Sequence, residues 1–216
     1  MDSAVQTFLA LSDQIERVRE DFPYSFNLLD AVHETGHSRI LCDLLNLHRH
    51  GHYPILESFL ALCRAHNPNF PMQIDRPQIA PEVANIDILI EDTTYAIINE
   101  NKANDAIDQP AQLGRYIQFV RNRRTLNKGG YTDAQIFVIY LPSGDWKDPS
   151  DESWLGEKEK FAPRYLKLSY EKDLLDWMKL GLLPAIPPTE EQLQMSLKIY
   201  IDHWEGRTKT CQKEKP

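Results

Sequence analysis

Apolar residues recur at helical spacing near both ends of the chain and again before its midpoint. Val5, Phe8, Leu11 and Ile15 fall close to one side of a helix, which predicts that the first such segment is amphipathic. The same spacing predicts four further helices, and Gly36 interrupts the pattern of the second. These five helices, predicted on either side of the β-rich middle of the chain, lie at residues 3–20, 27–47, 54–65, 171–180 and 189–204, the last capped by Thr189.

The middle of the chain contains short runs rich in β-forming residues. ANIDILIED and TYAIINENK, separated by the turn-forming residues 92–94, predict a β-hairpin. A strand at 72–79 precedes it, and Pro77, which lacks the N–H of a ladder bond, favours an edge strand or a strand end there. The predicted elements that follow are a helix at 110–124, a strand at 135–141, a long loop at 142–163 and a strand at 165–170. The core order, α-β-β-β-α-β, predicts an α/β fold with a central mixed sheet flanked by helices.

The predicted hairpin brings ionisable side chains together. With its turn centred near Thr93 and Thr94, antiparallel pairing sets Asp87 opposite Glu100, and Lys102 shares the face of Glu100 because side chains alternate along a strand. Two adjacent carboxylates among apolar neighbours repel each other and are costly to bury without a cation. The pattern therefore predicts a site for Mg²⁺ or Mn²⁺; a strand-end aspartate beside a solvent-facing Glu-x-Lys is the alternative interpretation.

These residues resemble a known family. IDILIED followed by NENK resembles the motif of the PD-(D/E)xK nuclease superfamily, with Ile86 in place of the usual proline before Asp87. The predicted element order is similar to the restriction-endonuclease-like core of that superfamily. HETGHSRILCDLLN and AIDQPAQLGRYIQF resemble one bacterial branch, in which E-x-x-H-S and D-Q-x-x-Q-L-x-R-Y segments flank the core. The resemblance covers about residues 30–141 and implies a metal-dependent nuclease that hydrolyses phosphodiester bonds of nucleic acid, with DNA favoured.

The resemblance also implies roles for individual residues. The implied metal ligands are Glu34, Asp87, Glu100 and the backbone carbonyl of Asn101. The implied catalytic set is Glu34, Asp87, Glu100, Lys102, Gln112 and Tyr116. In this set Lys102 positions the attacking hydroxide or stabilises charge on the phosphate. Gln112 and Tyr116 form the Q-x-x-x-Y motif, which contacts substrate or organises the site.

Length and composition set the expected class of protein. A chain of 216 residues with 42% hydrophobic content predicts one globular domain over residues 1–216, with its core at about 27–141 and helical additions at 1–26 and 171–216. No apolar run approaches the roughly 20 residues needed to cross a bilayer, and the first residues lack a basic signal segment. We therefore expect a cytoplasmic protein without a membrane partner. Its three cysteines lack paired spacing, which argues against a disulfide framework.

The charge of the chain bears on nucleic acid as a partner. A formal net charge of −8 argues against strong non-specific binding, which depends on many Lys and Arg contacts to phosphate. Residues 109–132, however, contain no Asp or Glu and carry five basic residues, which indicates either a substrate-binding face or a merely solvated helix. The five are Arg115, Arg121, Arg123, Arg124 and Lys128. A homodimer or an additional module remains open.

Two other functions fit parts of the sequence. His33, Glu34 and His37 match H-E-x-x-H, the helix of zinc metallopeptidases. Gly36 weakens such a helix, and the extended zinc-binding pattern fails because Ile40 and Asp43 occupy the required positions. A nuclease-like fold that binds nucleic acid or protein without cleaving is the second alternative; the presence of both acidic residues and the lysine favours catalysis.

Overall fold

The computed structural model describes residues 32–48 and 50–213, with side chains described as far as Thr208. The helix predicted at 3–20, and the first residues of the one predicted at 27–47, lie outside these ranges. The main helices are α1 (Glu34–Asn46), α2 (Pro54–His66), α3 (Gln112–Asn122), α4 (residues 170–185) and α5 (Glu191–Lys213). Shorter helical turns lie at Asp133–Gln135, Asp151–Trp154, Lys158–Phe161 and Ala162–Arg164.

Five strands form one mixed sheet in the order β1-β2-β3-β4-β5. They are β1 (Gln78–Val83), β2 (Ile86–Glu91), β3 (Ala96–Lys102), β4 (Ile136–Pro142) and β5 (Tyr165–Lys167). The first three strands pair antiparallel, whereas β4 and β5 run parallel to β3. This mixed sheet with its flanking helices confirms the predicted α/β, restriction-endonuclease-like fold.

The turn between β2 and β3 sets the register of the hairpin. The carboxylate of Asp92 accepts hydrogen bonds of 2.6 Å from the backbone N–H groups of Thr94 and Tyr95, the usual way in which a short acidic side chain fixes a turn. Ile88 then pairs with Asn99 and Ile90 with Ile97. The hairpin is therefore symmetric about the predicted centre.

The hydrophobic core lies on both sides of the sheet. On one side, the apolar face of α3 (Leu113, Tyr116, Ile117, Val120) packs against Leu89, Ile98 and Val138 of the strands. On the other side, the alternate residues Ile88, Ile90 and Ile97 are fully buried, and α1 packs beside β1, β2 and β3. Since β3 and β4 are buried along their whole length, a polar residue at the end of either strand is held in a desolvated setting.

Several predicted boundaries differ from the observed ones. β1 begins at Gln78, after Pro77, and not at residue 72, since it pairs with β2 along residues 78–83; it is the edge strand, as predicted. Gly36 does not interrupt α1, which starts at Glu34. The helix predicted at 189–204 starts at Glu191 and continues to Lys213. Beyond the predicted end, Arg207 lies over the ring of Trp204 and donates a hydrogen bond to Asn104. None of the helices in the described part of the chain is long and apolar enough to cross a membrane.

Candidate active site

Asp87 and Glu100 lie beside each other where β2 begins and β3 nears its end. The pairing of Ile88 with Asn99, continued by one position, sets the two acidic residues opposite each other. Oδ2 of Asp87 accepts a hydrogen bond of 2.7 Å from the backbone N–H of Asn101. Glu100 is only 2% exposed, and its Oε1 lies 2.7 Å from Nζ of Lys102. The hairpin thus brings two carboxylates and one ammonium group into a buried cluster.

Burial raises the pKa of both carboxyl groups. Desolvation raises the pKa of Asp87 to about 6, and the negative charge of Glu34 acts in the same direction. The hydrogen bond from Asn101 and the charge of Lys102 oppose this shift. The pKa of Glu100 is raised to about 8, first by burial and then by the neighbouring charge of Asp87, although Lys102 opposes the shift. Keeping both groups ionised at neutral pH therefore costs free energy, which a bound cation would offset.

The donor atoms of this cluster suit a hard divalent cation. Oε2 of Glu100 is buried and makes no hydrogen bond, although a buried carboxylate oxygen normally has a partner. Across residues 32–48 and 50–213, no three His, Cys, Asp or Glu side chains converge into a ready-made metal cage. Mg²⁺ is commonly bound by one or two carboxylates and keeps several waters. The residues therefore fit a magnesium-like ion, with the carbonyl of Asn101 available as a further ligand.

Lys102 is 4% exposed and is surrounded by oxygen acceptors. Besides its contact with Glu100, Nζ donates a hydrogen bond of 3.3 Å to Oε1 of Gln112 and lies 3.9 Å from Oδ1 of Asp108. The carboxylate of Asp108 also accepts hydrogen bonds from the hydroxyl of Tyr140 and the backbone N–H of Ser150. Sequence reasoning gave Asp108 no role, although it is the first residue of the D-Q-x-x-Q-L-x-R-Y segment.

The Q-x-x-x-Y residues form the next layer of the site. Gln112 begins α3, and its Nε2 donates a hydrogen bond of 2.9 Å to the hydroxyl of Tyr116, one turn later. That hydroxyl donates in turn to the carbonyl of Asn85, in the β1–β2 turn, where Ala84 and Asn85 both have positive φ. A chain of hydrogen bonds therefore connects Lys102 through α3 to the turn that precedes Asp87. Gln112 and Tyr116 therefore connect Lys102 to the turn before Asp87, and their role at the site stays a prediction.

Glu34 approaches the cluster from the opposite side of the sheet, at the start of α1. Its Oε1 accepts a hydrogen bond of 3.2 Å from the backbone N–H of Asn104, and its charge acts on the pKa of Asp87. The next turn of α1 is attached to β3, because Nδ2 of Asn101 donates a hydrogen bond of 2.9 Å to the hydroxyl of Ser38. Glu34 is therefore near the two carboxylates without forming a three-carboxylate cage with them.

The five basic residues predicted to bind substrate fall into two groups. Arg121 forms ion pairs with Glu157 and Asp133 at 2.5 and 2.6 Å, and Arg123 pairs with the buried Glu91 at 2.7 Å. These two arginines are held in ion pairs within the fold, and the prediction that all five bind substrate stays a prediction. The exposed members of the set are Arg115, Arg124 and Lys128.

The structure does not build a zinc site from the H-E-x-x-H segment. His33 is exposed and precedes α1 in an extended conformation. His37 is fully buried, and its Nδ1 shares a hydrogen bond of 2.9 Å with the hydroxyl of Tyr200. One histidine faces water while the other is engaged with α5, so they do not act as a pair of ligands. The interpretation as a zinc metallopeptidase is not supported.

Comparison with known proteins agrees with the geometry. A family model described as PD-(D/E)XK nuclease superfamily matches residues 25–202, more than half of the chain. The matched span includes every residue of the cluster and extends beyond residues 30–141, where the sequence motifs lie. No curated protein matches the chain, and no solved structure does.

Proposed function

The chain belongs to the PD-(D/E)XK nuclease superfamily, and from this premise we propose that it is a divalent-metal-dependent nuclease that hydrolyses phosphodiester bonds in DNA. The observation that carries the proposal is the half-buried Asp87 beside the buried Glu100, with the ammonium of Lys102 2.7 Å from Glu100. Such a pair is unfavourable on its own and becomes favourable around a cation. The acidic residues and the lysine are all present, which supports cleavage over binding alone.

Each residue of the cluster has a separate task in this proposal. Asp87, Glu100 and the carbonyl of Asn101 would hold Mg²⁺ or Mn²⁺, and Glu34 would add a carboxylate at the edge of the site. When bound, the ion would supply Lewis acidity toward the phosphoryl group and toward water. Lys102 places its positive charge beside the phosphate, where negative charge increases as water attacks phosphorus and the bond to the leaving oxygen breaks. Gln112 and Tyr116 hold the lysine in position.

A cleavage assay on the full chain tests the proposal. Linear, circular and single-stranded DNA, together with RNA, are incubated with Mg²⁺, with Mn²⁺ or with EDTA. We expect cleavage of DNA that EDTA stops and that Glu100→Gln and Lys102→Ala each reduce about 100-fold or more, as is typical when a group that stabilises transition-state charge is removed. Lys198→Ala changes an exposed lysine on α5 and serves as the matched control.

Other results would favour the alternative functions. Binding of nucleic acid without cleavage in either metal would identify a non-catalytic module. Zinc-dependent cleavage of a peptide that His33→Ala abolishes would identify a metallopeptidase; since His33 is exposed, this substitution leaves the core unchanged. Cleavage of RNA alone would contradict the assignment of DNA while preserving the chemistry.

A further inference from the structure

Two loops lie together beside Lys102, at the ends of β3 and β4. Because these strands are parallel, residues 103–111 and 143–150 leave the sheet at the same edge. The backbone N–H of Ser143 donates a hydrogen bond of 3.1 Å to the carbonyl of Lys102, and its hydroxyl donates to Asp105. At the far end, the N–H of Ser150 donates to Asp108. We call this pair of connected loops the rim.

Each loop of the rim exposes one large apolar side chain. Ile107 is 89% exposed and Trp146 is 60% exposed, whereas Trp154, Trp177 and Trp204 are at most 7% exposed. A Cβ at Gly144 would overlap the indole ring of Trp146. The ring therefore lies close to the backbone of Gly144 and remains largely open to solvent. An exposed aromatic ring provides a stacking surface.

Two lysines near the rim are already engaged with oxygen acceptors. Nζ of Lys147 donates to the carbonyl of Ala106, and Lys167 pairs with Asp148 at 2.8 Å. The chain as a whole carries a net charge of −8. Affinity that comes from phosphate contacts alone requires several available cations. Contacts to bases are the other source of affinity, and stacking on an aromatic ring is the kind that does not depend on sequence.

We propose that Trp146, with Ile107 on the neighbouring loop, stacks on an unpaired nucleobase, so that the preferred substrate is DNA with unpaired bases: a single strand or a frayed end. This inference rests on the proposed function and names the substrate class of the same site. Within a closed duplex the bases stack on each other and offer only their edges in the grooves. An unpaired base offers a free face, and the rim holds that base next to Lys102.

Tryptophan fluorescence tests the inference directly, since Trp146 is the only one of the four tryptophans that is exposed. The full chain with Glu100→Gln, in Mg²⁺, is titrated with oligo(dT) and with relaxed, covalently closed circular duplex. We expect oligo(dT) to quench the emission and to protect Trp146 from acrylamide, and the closed duplex to do neither. Trp146→Ala weakens oligo(dT) binding about 10-fold or more, as stacking of one base implies, while Trp146→Phe retains most of the affinity.

The control is Leu180→Ala, because Leu180 is an equally apolar residue, 75% exposed, on α4 and away from the rim. It leaves oligo(dT) affinity unchanged. Equal affinity for oligo(dT) and closed duplex, or full affinity in Trp146→Ala, overturns the inference. Metal-dependent cleavage of closed duplex by the wild type would then show that the proposed function stands without it. If the wild type neither binds nor cleaves any nucleic acid, both proposals fail.

Discussion

At the scale of single residues, the groups around Lys102 explain how its buried side chain is oriented. An ammonium has three N–H donors and no acceptor. Glu100 and Gln112 accept from it at 2.7 and 3.3 Å, and Asp108 adds a negative charge at 3.9 Å. Because a buried cation without partners is strongly unfavourable, each of these groups helps to set the position of Lys102.

Asp108→Asn tests the contribution of that second carboxylate. The amide keeps the size of the side chain and one acceptor for Tyr140 or Ser150, but removes the charge that faces Lys102. We expect the cleavage rate to fall about 10-fold, the change that corresponds to about 1.4 kcal/mol of transition-state stabilisation. Initial rates at saturating DNA measure it. Asp148→Asn, at a side chain that is 69% exposed and paired with Lys167, is the control; equal rates in the two variants contradict the prediction.

Some of the side-chain contacts at the site can be predicted from the sequence, and others cannot. The juxtaposition of Asp87 and Glu100 follows from turn symmetry and strand alternation, which are local rules. Asp108 lies in a loop, and a loop has no helical or strand periodicity from which the direction of a side chain could be predicted. The pairing of Arg123 with Glu91 joins residues 32 positions apart, and charge counting along the chain cannot show it. These contacts depend on how distant segments meet.

At the scale of secondary-structure elements, Gly114 lets α3 approach the turn at residues 151–155. A Cβ at Gly114 would lie 2.9 Å from the carbonyl oxygen of Trp154 and would overlap the side chain of Leu155. Gly114→Ala should therefore displace α3, which also carries Gln112, and destabilise the protein by about 1–3 kcal/mol, the usual range for overpacking. Urea unfolding monitored by circular dichroism measures the change.

Gly206→Ala is the matched control for this prediction. Gly206 lies in α5, is exposed, and has open space where a Cβ would be. Alanine there removes the entropic penalty of glycine within a helix, so we expect stability to rise by about 0.5–1 kcal/mol. Loss of stability in both variants would mean that the cost at Gly114 does not come from its contact with Trp154.

α1 and α5 meet at His37, which links the motif helix to the C-terminal part of the chain. The groups around its imidazole are Tyr200, His203, Trp204 and Arg207 from α5 and Tyr170 from α4. Burial lowers the pKa of His37 to about 4, and the positive charges of His203 and Arg207 act in the same direction. The folded protein therefore keeps His37 neutral under conditions in which the unfolded chain protonates it.

The pH dependence of stability follows from this shift. Between about pH 6.5 and pH 4 the unfolded chain binds the extra proton, so stability rises with pH across this window and is lost as pH falls. From pH 7 to pH 5 we expect His37 to account for a loss of about 2 kcal/mol. His37→Gln cannot titrate and should flatten the curve of unfolding free energy against pH. Parallel curves for the two proteins would contradict this prediction.

Element boundaries show where local rules are insufficient. The hairpin, α2, α3 and β4 were predictable because their apolar periods are strong and their ends carry turn residues or Pro54. β1 was wrongly placed, since residues 72–77 contain β-forming side chains but only residues 78–83 find a pairing partner. α5 continues past its predicted end, where Arg207 packs on Trp204 and donates a hydrogen bond to Asn104, and such contacts with distant residues cannot be seen in the helical pattern.

At the scale of the whole molecule, an acidic protein is proposed to act on a polyanion. The net charge of −8 disfavours approach of DNA at long range. In the segment predicted to bind substrate, Arg121 and Arg123 are paired with carboxylates. The remaining exposed cations, Arg115, Arg124 and Lys128, allow about three phosphate contacts. Binding should therefore depend on salt far less than in proteins that bind DNA mainly through phosphates.

The salt dependence of oligo(dT) affinity is the measurement that tests this distribution of charge. With about 0.7 counterions released per phosphate contacted on a single strand, three contacts give a slope of log K against log salt of about −2. Arg124→Ala should reduce the slope by about 0.7. Arg121→Ala should leave the slope unchanged but lower thermal stability, because it leaves Glu157 and Asp133 without their partner. A slope of about −3.5 would correspond to five phosphate contacts, and would show that the two paired arginines release their carboxylates on binding.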